Sequence, residues 1–399
     1  MSPLRLLTFT TLFPNAEQPN HGIFVENRLR HLLGTGEAVA TVLAPVPYFP
    51  SGAARFGAWA RYARVPRTES RHGLAIHHPR YPAIPRAGMS LAPWLLYRAS
   101  LGPARRLAAA RAFDLIDAHY LYPDGVAAVW LGAALGLPVV LTARGSDVTQ
   151  LPDHAIPRWL IRGAIGRAAG SIGVSAPLRE RLLALGAAPE RTVALRNGID
   201  TRMFCPPTDR HAARAALGLT RKTLISVGGL IARKRHHLTI QALTLLPDME
   251  LLLVGEGPER AALQARIDAV GLSARARLVG PVPHARLPAY YGAADAMVLA
   301  SSREGWANVL LESMACGTPA IASDIPGNPD VVGAPEAGRI VRANTAEGIA
   351  EAVRALFAAP PNRAATRRYA ERFGWEETSQ GQLALFRQVL ERFENTARL

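Results

Sequence analysis

The chain has 399 residues, 49% of them apolar and 19% charged; this composition excludes intrinsic disorder, and the length implies two hydrophobic cores rather than one. A formal net charge of +15 points to anionic partners, yet there is no arginine-rich arm, zinc-finger spacing or ribonucleoprotein-type motif, which favours a membrane surface or a phosphorylated substrate over nucleic acid. Cys205 and Cys316 make no disulfide framework and lack metal-ligand spacing, as expected for a reducing cytoplasm.

The N-terminal MSPLRLLTFTTLF is too short in its apolar part for a secretory signal and is read as a first strand, Leu4 to Phe9. A loop carrying His21 and Gly22 leads into a helix from Ile23 to Leu33. Gly22 either lets a phosphate approach the backbone or serves the turn alone. A second strand, Ala38 to Ala44, precedes a Pro-rich, aromatic and basic excursion over residues 45–106. Within it, Trp94 to Tyr97 beside Arg98, Arg105 and Arg106 reads either as an interfacial segment for anionic lipid or as ordinary packing.

Phe113 to Ala118 is the next strand, and His119 at its carboxyl end could hydrogen-bond a sugar hydroxyl. Val126 to Ala143 is apolar enough to suggest a membrane span, but Gly132, Gly136 and Pro138 divide it into a buried helix and a strand. After that strand, Arg144 could hold an acceptor phosphate, and Arg144 and Asp147 are the acceptor-side candidates. The alternative is an exposed Arg144 beside a capping Asp147. Ser171 to Ser175 is another strand, Pro177 opens a helix, and the turn Asn197-Gly198-Ile199-Asp200 marks the interdomain connection.

The second domain opens with the strand Thr223 to Val227, then Gly228, Gly229 and the basic stretch Leu230 to His237. Backbone N–H groups and a point charge there can meet a diphosphate, so Lys234 either binds phosphate or is a solvated helix charge. The densest chemistry lies between Ser301 and Asp330. A strand ending at Ala300 gives way to a loop with Glu304 and Gly305; Asn308 is the expected N-cap of a short helix through Ala315, and Ala320 to Ala322 restarts a strand. A loop at the carboxyl end of a parallel strand is where open α/β sheets bind ligands, and the helix start at Asn308, Val309 and Leu310 suits a diphosphate. Glu304 and Glu312 would address sugar hydroxyls on either side of it; the alternative is a cap and a solvated acid.

The glutamate pair with seven residues between, the Ala-Cys-Gly-Thr-Pro turn and the Gly-Asn-Pro-Asp segment together resemble the GT4-type retaining glycosyltransferases of GT-B fold, the glycosyl transferases group 1. The resemblance implies an α/β chain of two doubly wound Rossmann-like domains facing a central cleft. Residues 1–196 would form the acceptor-side domain, residues 197–372 the nucleotide-sugar domain, and residues 373–399 a helix crossing back. It also implies Glu304 and His119 at the donor sugar, Glu312 at the ribose, Val282 near the base, and Lys234, Gly228, Gly22, Gly305 and the backbone of Asn308, Val309 and Leu310 near the diphosphate. The chain departs from the family pattern at His21-Gly22, where two glycines are usual. It departs again at Asp117, where a histidine is usual, and at Gly229, where an arginine is usual; Arg233 is the candidate replacement.

The expected reaction is transfer, with retention, from a UDP- or GDP-linked sugar to an acceptor hydroxyl. Glu304 would position the sugar and Lys234 would stabilise the phosphate. The expected acceptor is a lipid-linked or polysaccharide intermediate of cell-envelope or exopolysaccharide assembly, met at the inner membrane face without metal, cofactor or nucleic acid. Two other readings stand beside it. One is a GT-B-fold nucleotide-sugar epimerase. The other is a nonenzymatic basic protein that binds nucleic acid or anionic lipid with strong salt sensitivity.

Overall fold

The computed structural model describes residues 2–83 and 88–397, so residues 84–87 of the basic excursion lie outside the described chain. The chain divides into two compact units, Met1–Asn197 with Glu376–Leu399, and Gly198–Trp375. The expected boundaries move slightly: Asn197 stays with the first unit and Phe373 to Trp375 with the second. The cause is local, because the Ile199 N–H donates to the Phe373 carbonyl at 2.8 Å and ties the two ends of the second unit together.

Among its described residues the first unit contains ten strands, β1 (Leu4–Phe9), β2 (Ala38–Leu43), β3 (Val46–Tyr48), β4 (Thr68–Arg71), β5 (Leu74–His77), β6 (Arg80–Pro82), β7 (Leu115–His119), β8 (Val139–Ala143), β9 (Gly170–Gly173) and β10 (Thr192–Ala194). Eight form one sheet in the order β10-β9-β8-β7-β1-β2-β5-β4, and β3 pairs with β6 apart from it. All neighbours in the large sheet are parallel except β4 with β5. The sequence reading places no strand at β4, because Thr-Glu-Ser-Arg lacks apolar alternation; an edge strand tolerates such polarity. β7 and β8 are buried along their whole length, as strands covered on both faces are. Val126 to Ala143 is a helix, Val126–Leu135, followed by β8, and no described helix is long and apolar enough to cross a membrane. The C-terminal helix Glu376–Ala397 sets Leu383, Phe386 and Val389 against Leu6, Leu115, Val140 and Ile172 of this sheet.

The second unit has six parallel strands, β11 (Lys222–Val227), β12 (Met249–Val254), β13 (Ala276–Gly280), β14 (Ala296–Leu299), β15 (Ala320–Ser323) and β16 (Gly338–Val341), in the order β13-β12-β11-β14-β15-β16. Alternate residues serve opposite faces. Ile225, Met297 and Ala320 enter one core while Leu224, Val298 and Ile321 enter the other, so helices cover both sides. Strand order reverses between β11 and β14 here, and between β1 and β7 in the first unit. Doubly wound sheets open a crevice at the carboxyl ends of such pairs. Each candidate site follows from that topology.

Candidate functional site

In the second unit the two strands at the reversal deliver two loops. The loop after β11 runs through Gly228 and Gly229 into a short turn, Ala232–Lys234, and then the helix His236–Thr244. The loop after β14 carries Ser301 to Ala307 and enters the helix Asn308–Ala315. Lys234 Nζ lies 2.6 Å from Glu304 Oε1, which also accepts from the Ser301 hydroxyl at 2.7 Å. Arg233 reaches Glu304 Oε2 at 3.4 Å, and its carbonyl accepts the Ser302 N–H at 2.8 Å. Burial opposes the charge on Glu304, yet Lys234 and Arg233 beside it hold the carboxyl below the usual range. The two loops are thereby latched around one carboxylate and two cations.

Glu312, one turn into the helix, is held by a different pair. Its Oε2 accepts from Tyr291 at 2.9 Å and its Oε1 lies 3.1 Å from His284 Nε2. Tyr291 is fully buried, and burial together with the adjacent carboxylate raises its phenol well above the ordinary value, so it remains a donor. The His284 ring packs edge-on against Phe204 at 5.1 Å. Neither Tyr291 nor His284 stands out in the sequence, because each lies in a different turn from the acid it supports. Val282, two residues before His284, is buried in the core.

Three expectations for this unit need adjustment. Asn308 is the first helical residue rather than the cap; buried Ala307 holds the cap position, and its methyl group has no atom that could accept a capping bond. The N–H groups of Asn308 and Leu310 go to the Trp306 and Ala307 carbonyls, at 3.1 and 3.0 Å, which leaves the first turn less open to a phosphate than expected. The basic stretch 230–237 is not one helix start, since Arg235 is left-handed (φ 50°) and breaks it in two. At Gly229 a Cβ would meet nothing closer than 3.8 Å, so its small size is not required by packing. Arg233, the candidate replacement, reaches the same carboxylate as Lys234. Gly305 follows Glu304 directly and is half-buried.

Buried His236 pins the loop after β11, with Nδ1 at 3.1 Å from the Ser226 hydroxyl and Nε2 at 3.2 Å from the Gly229 carbonyl. Burial, helped by nearby Lys234 and opposed by the Gly229 bond, lowers its pKa to about 4 from 6.5. The unfolded chain therefore takes up this proton first as pH falls. The associated stability is complete above pH 6.5 and is lost as pH drops through about 4. At ~1.4 kcal/mol per unit this amounts to about 3 kcal/mol. Melting temperatures between pH 7 and pH ~4 should show the loss in the second unit, and His236→Gln, which keeps a donor and an acceptor, should flatten it. An unchanged profile in that variant would remove the imidazole as the cause.

At the reversal point of the first unit, His119 is 1% exposed and both ring nitrogens are engaged. Arg144 donates to Nδ1 at 2.8 Å, which leaves Nε2–H to donate to Asp117 at 3.1 Å. Burial keeps the ring neutral despite Asp117. His119 is thus a link in a buried network, with neighbours on both ring nitrogens. The network continues from Asp117 to Gln382 (3.3 Å) and from Gln382 to the buried Arg28 (2.8 Å), positions that no sequence pattern connects.

Arg144 is likewise committed, to Asn197 at 3.1 Å and over the Phe24 ring at 5.3 Å; burial, reinforced by Arg28, lowers its pKa to about 9. Asp147, in the first turn of the helix Ser146–Thr149, is fully buried and accepts from the backbone N–H groups of Leu121, Arg144 and Gly145. Asp124 joins β7's loop to β1's through Thr11, and burial raises its carboxyl to about 7. Gly22 is required by packing: at φ 68° its Cβ would sit 2.2 Å from the Leu12 carbonyl oxygen. Among the described residues no three or more His, Cys, Asp or Glu side chains gather as a metal-ligand group.

Each of the two sheets is doubly wound with a reversal of strand order, and comparison with known proteins gives the class. Residues 208–373 match the model for glycosyl transferases group 1, and residues 42–203 match glycosyltransferase family 4. A D-inositol 3-phosphate glycosyltransferase of Catenulispora acidiphila is 30% identical over 70% of this chain and 73% of its own. A candidate teichuronic acid biosynthesis glycosyltransferase of Bacillus subtilis is 27% identical over 88% of each chain. The solved sucrose-phosphate synthase of Thermosynechococcus elongatus superposes with a TM-score of 0.78 at 21% identity, covering 98% of this chain and 100% of that one. The chain belongs to the GT4-type glycosyltransferases of GT-B fold and is a transferase enzyme. The nonenzymatic reading falls away.

Proposed function

We propose that the enzyme moves a glycosyl group, with retention, from a UDP- or GDP-linked sugar to a hydroxyl of a lipid-linked or polysaccharide intermediate in cell-envelope or exopolysaccharide assembly. The observation that carries this reading is the pair of carboxylates on one loop and helix, each with its own set of partners. Glu304 is matched to two cations and Glu312 to two neutral donors. A diphosphate arriving at Lys234 and Arg233 would take over those cations and free Glu304 for the hydroxyls of the transferred sugar. Glu312, already oriented by Tyr291, keeps lone pairs for ribose hydroxyls.

In the reaction the acceptor oxygen bonds to the anomeric carbon on the face from which the phosphate oxygen leaves. That departing phosphate oxygen takes the acceptor proton. Lys234 and Arg233 stabilise its growing charge, which is the work a cation would otherwise do, so no metal or other cofactor is needed. The relative from B. subtilis, by its name, acts in teichuronic acid biosynthesis, which supports an envelope setting. Work on such an acceptor places the enzyme in the cytoplasm, peripheral to the inner face of the membrane, with no nucleic-acid partner.

Thermal-shift binding of UDP, GDP, ADP and their common sugars tests the donor site, with and without a chelator. One nucleotide should raise the melting temperature. Charge-assisted hydrogen bonds of the size expected at a ribose imply about 100-fold weaker binding in Glu312→Ala and about tenfold in Tyr291→Phe. No shift with any nucleotide would sink the proposal, and a chelator-sensitive shift would sink its metal-free part.

A further inference from the structure

The positive charge of this chain is concentrated. Residues 38–113 hold eleven arginines, no lysine and a single acid, Glu69, so ten of the fifteen net charges fall in under a fifth of the sequence. Three of them, Arg98, Arg105 and Arg106, lie on the helix Gly88–Ala110, which contains no acid at all. Its inner side buries Leu96 and Ala104 completely and sets Tyr97 edge-on against Trp130 at 5.9 Å. Its outer side presents Leu91 (49% exposed), Trp94 (52%) and Arg98 at positions that share one helical face, with the Arg98 guanidinium over the Trp94 ring at 6.0 Å.

A second helix repeats the arrangement. Ala155–Arg167 is also free of acids, buries Ile161, Ala164 and Ile165, and exposes Ile156 (51%), Trp159 (74%) and Arg162. The two helices touch each other and both lie against the Val126–Leu135 helix. The second unit has no counterpart among its described residues. Its only large apolar side chains with comparable exposure are Leu245 and Val270, at 38% and 41%.

We propose that the outer faces of Gly88–Ala110 and Ala155–Arg167 form a docking surface for an anionic lipid bilayer. Tryptophan has an apolar body and a polar N–H, and it settles at the depth where headgroups meet acyl chains. Leu91 and Ile156 beside it gain only from an apolar phase. Arg98 and Arg162 reach the lipid phosphates from the same face, and no carboxylate on either helix opposes them. Charge also selects the occupant. A second copy of this chain would bring the same arginines against these, and like charges across an interface cost affinity. The surface uses no residue of the donor site. It extends the proposed function only in the sense that it would bring the enzyme to where a lipid-linked acceptor resides.

Flotation of the full-length chain with phosphatidylcholine vesicles, with and without phosphatidylglycerol, is the test. The protein should float only with the anionic vesicles, and added salt should release it. Each arginine near such a surface is worth about fivefold in partitioning, so Arg98→Glu with Arg162→Glu should lower it at least ~25-fold. Trp94→Ser with Trp159→Ser should abolish flotation at the same salt. Because all four side chains point outward, melting temperatures and nucleotide-induced shifts should stay at wild-type values, which separates failure of this surface from failure of the donor site. Equal binding to neutral vesicles would overturn the proposal, as would full binding by either variant. A wild-type dimer in vesicle-free solution that both variants convert to monomer would overturn it too, and would assign the face to contact between copies.

Discussion

Replacing Lys234 by methionine should lower turnover by about two to three orders of magnitude, the usual loss when a preorganised charge is removed from a developing anion. It should also destabilise the second unit by about 3 kcal/mol, because Glu304 then remains buried with a weaker complement. The Glu304 side chain is 9% exposed and that of Lys234 10%, so neither gains much from water when the other is removed. The double variant Lys234→Met with Glu304→Gln separates the two effects. It should recover most of the stability, since a neutral amide no longer needs a cation, and recover none of the turnover. Chemical denaturation and a transfer assay read these independently. If single and double variants are equally stable, the pair is not the latch described above. If the single variant keeps near-normal turnover, Lys234 does not meet the phosphate.

Gly255→Ala, which touches no proposed ligand, should be nearly as damaging. Gly255 ends β12 at φ 148°, a conformation few side chains adopt, and a Cβ there would lie 1.9 Å from the Gly228 carbonyl oxygen. The backbone of the loop after β11 must move to make room. Strain and overpacking each cost about 1–3 kcal/mol, so a combined loss of about 3 kcal/mol is expected, or roughly 10 °C in melting temperature for a unit of this size. Nucleotide binding should weaken as well, because Gly228 lies directly against the Lys234 stem. An alanine variant with wild-type stability would mean that the β12 end can yield without disturbing β11.

The sequence discloses the strands at the reversal points well, because buried parallel strands such as Leu251 to Val254 and Met297 to Leu299 read as unbroken apolar runs ended by small residues. Glu304, Glu312 and Lys234 are legible for the same reason: each follows a recognisable strand or opens a recognisable helix. What supports them is not legible. Tyr291 reaches Glu312 across 21 positions and Gln382 reaches Asp117 across 265, and no local periodicity encodes such pairings. For His119, Arg144 and Asp147 the sequence leaves two readings open, because a polar residue at a strand end has the same local signature whether it faces a ligand or is absorbed by neighbours. Burial decides between these, and burial is a property of the fold.

The C-terminal helix that closes the first unit has a consequence for biosynthesis. Its Leu383, Phe386 and Val389 cover a sheet whose strands are all complete by Ala194, but they leave the ribosome only after the whole second unit has been made. At ~5–20 residues per second the nascent first unit waits roughly 10–35 s with that apolar face open, while the contiguous second unit can fold in one pass. A segment made after the second unit is thus the one that ends the first unit's exposure to aggregation, and a nonsense codon near its start would leave an open, sticky sheet.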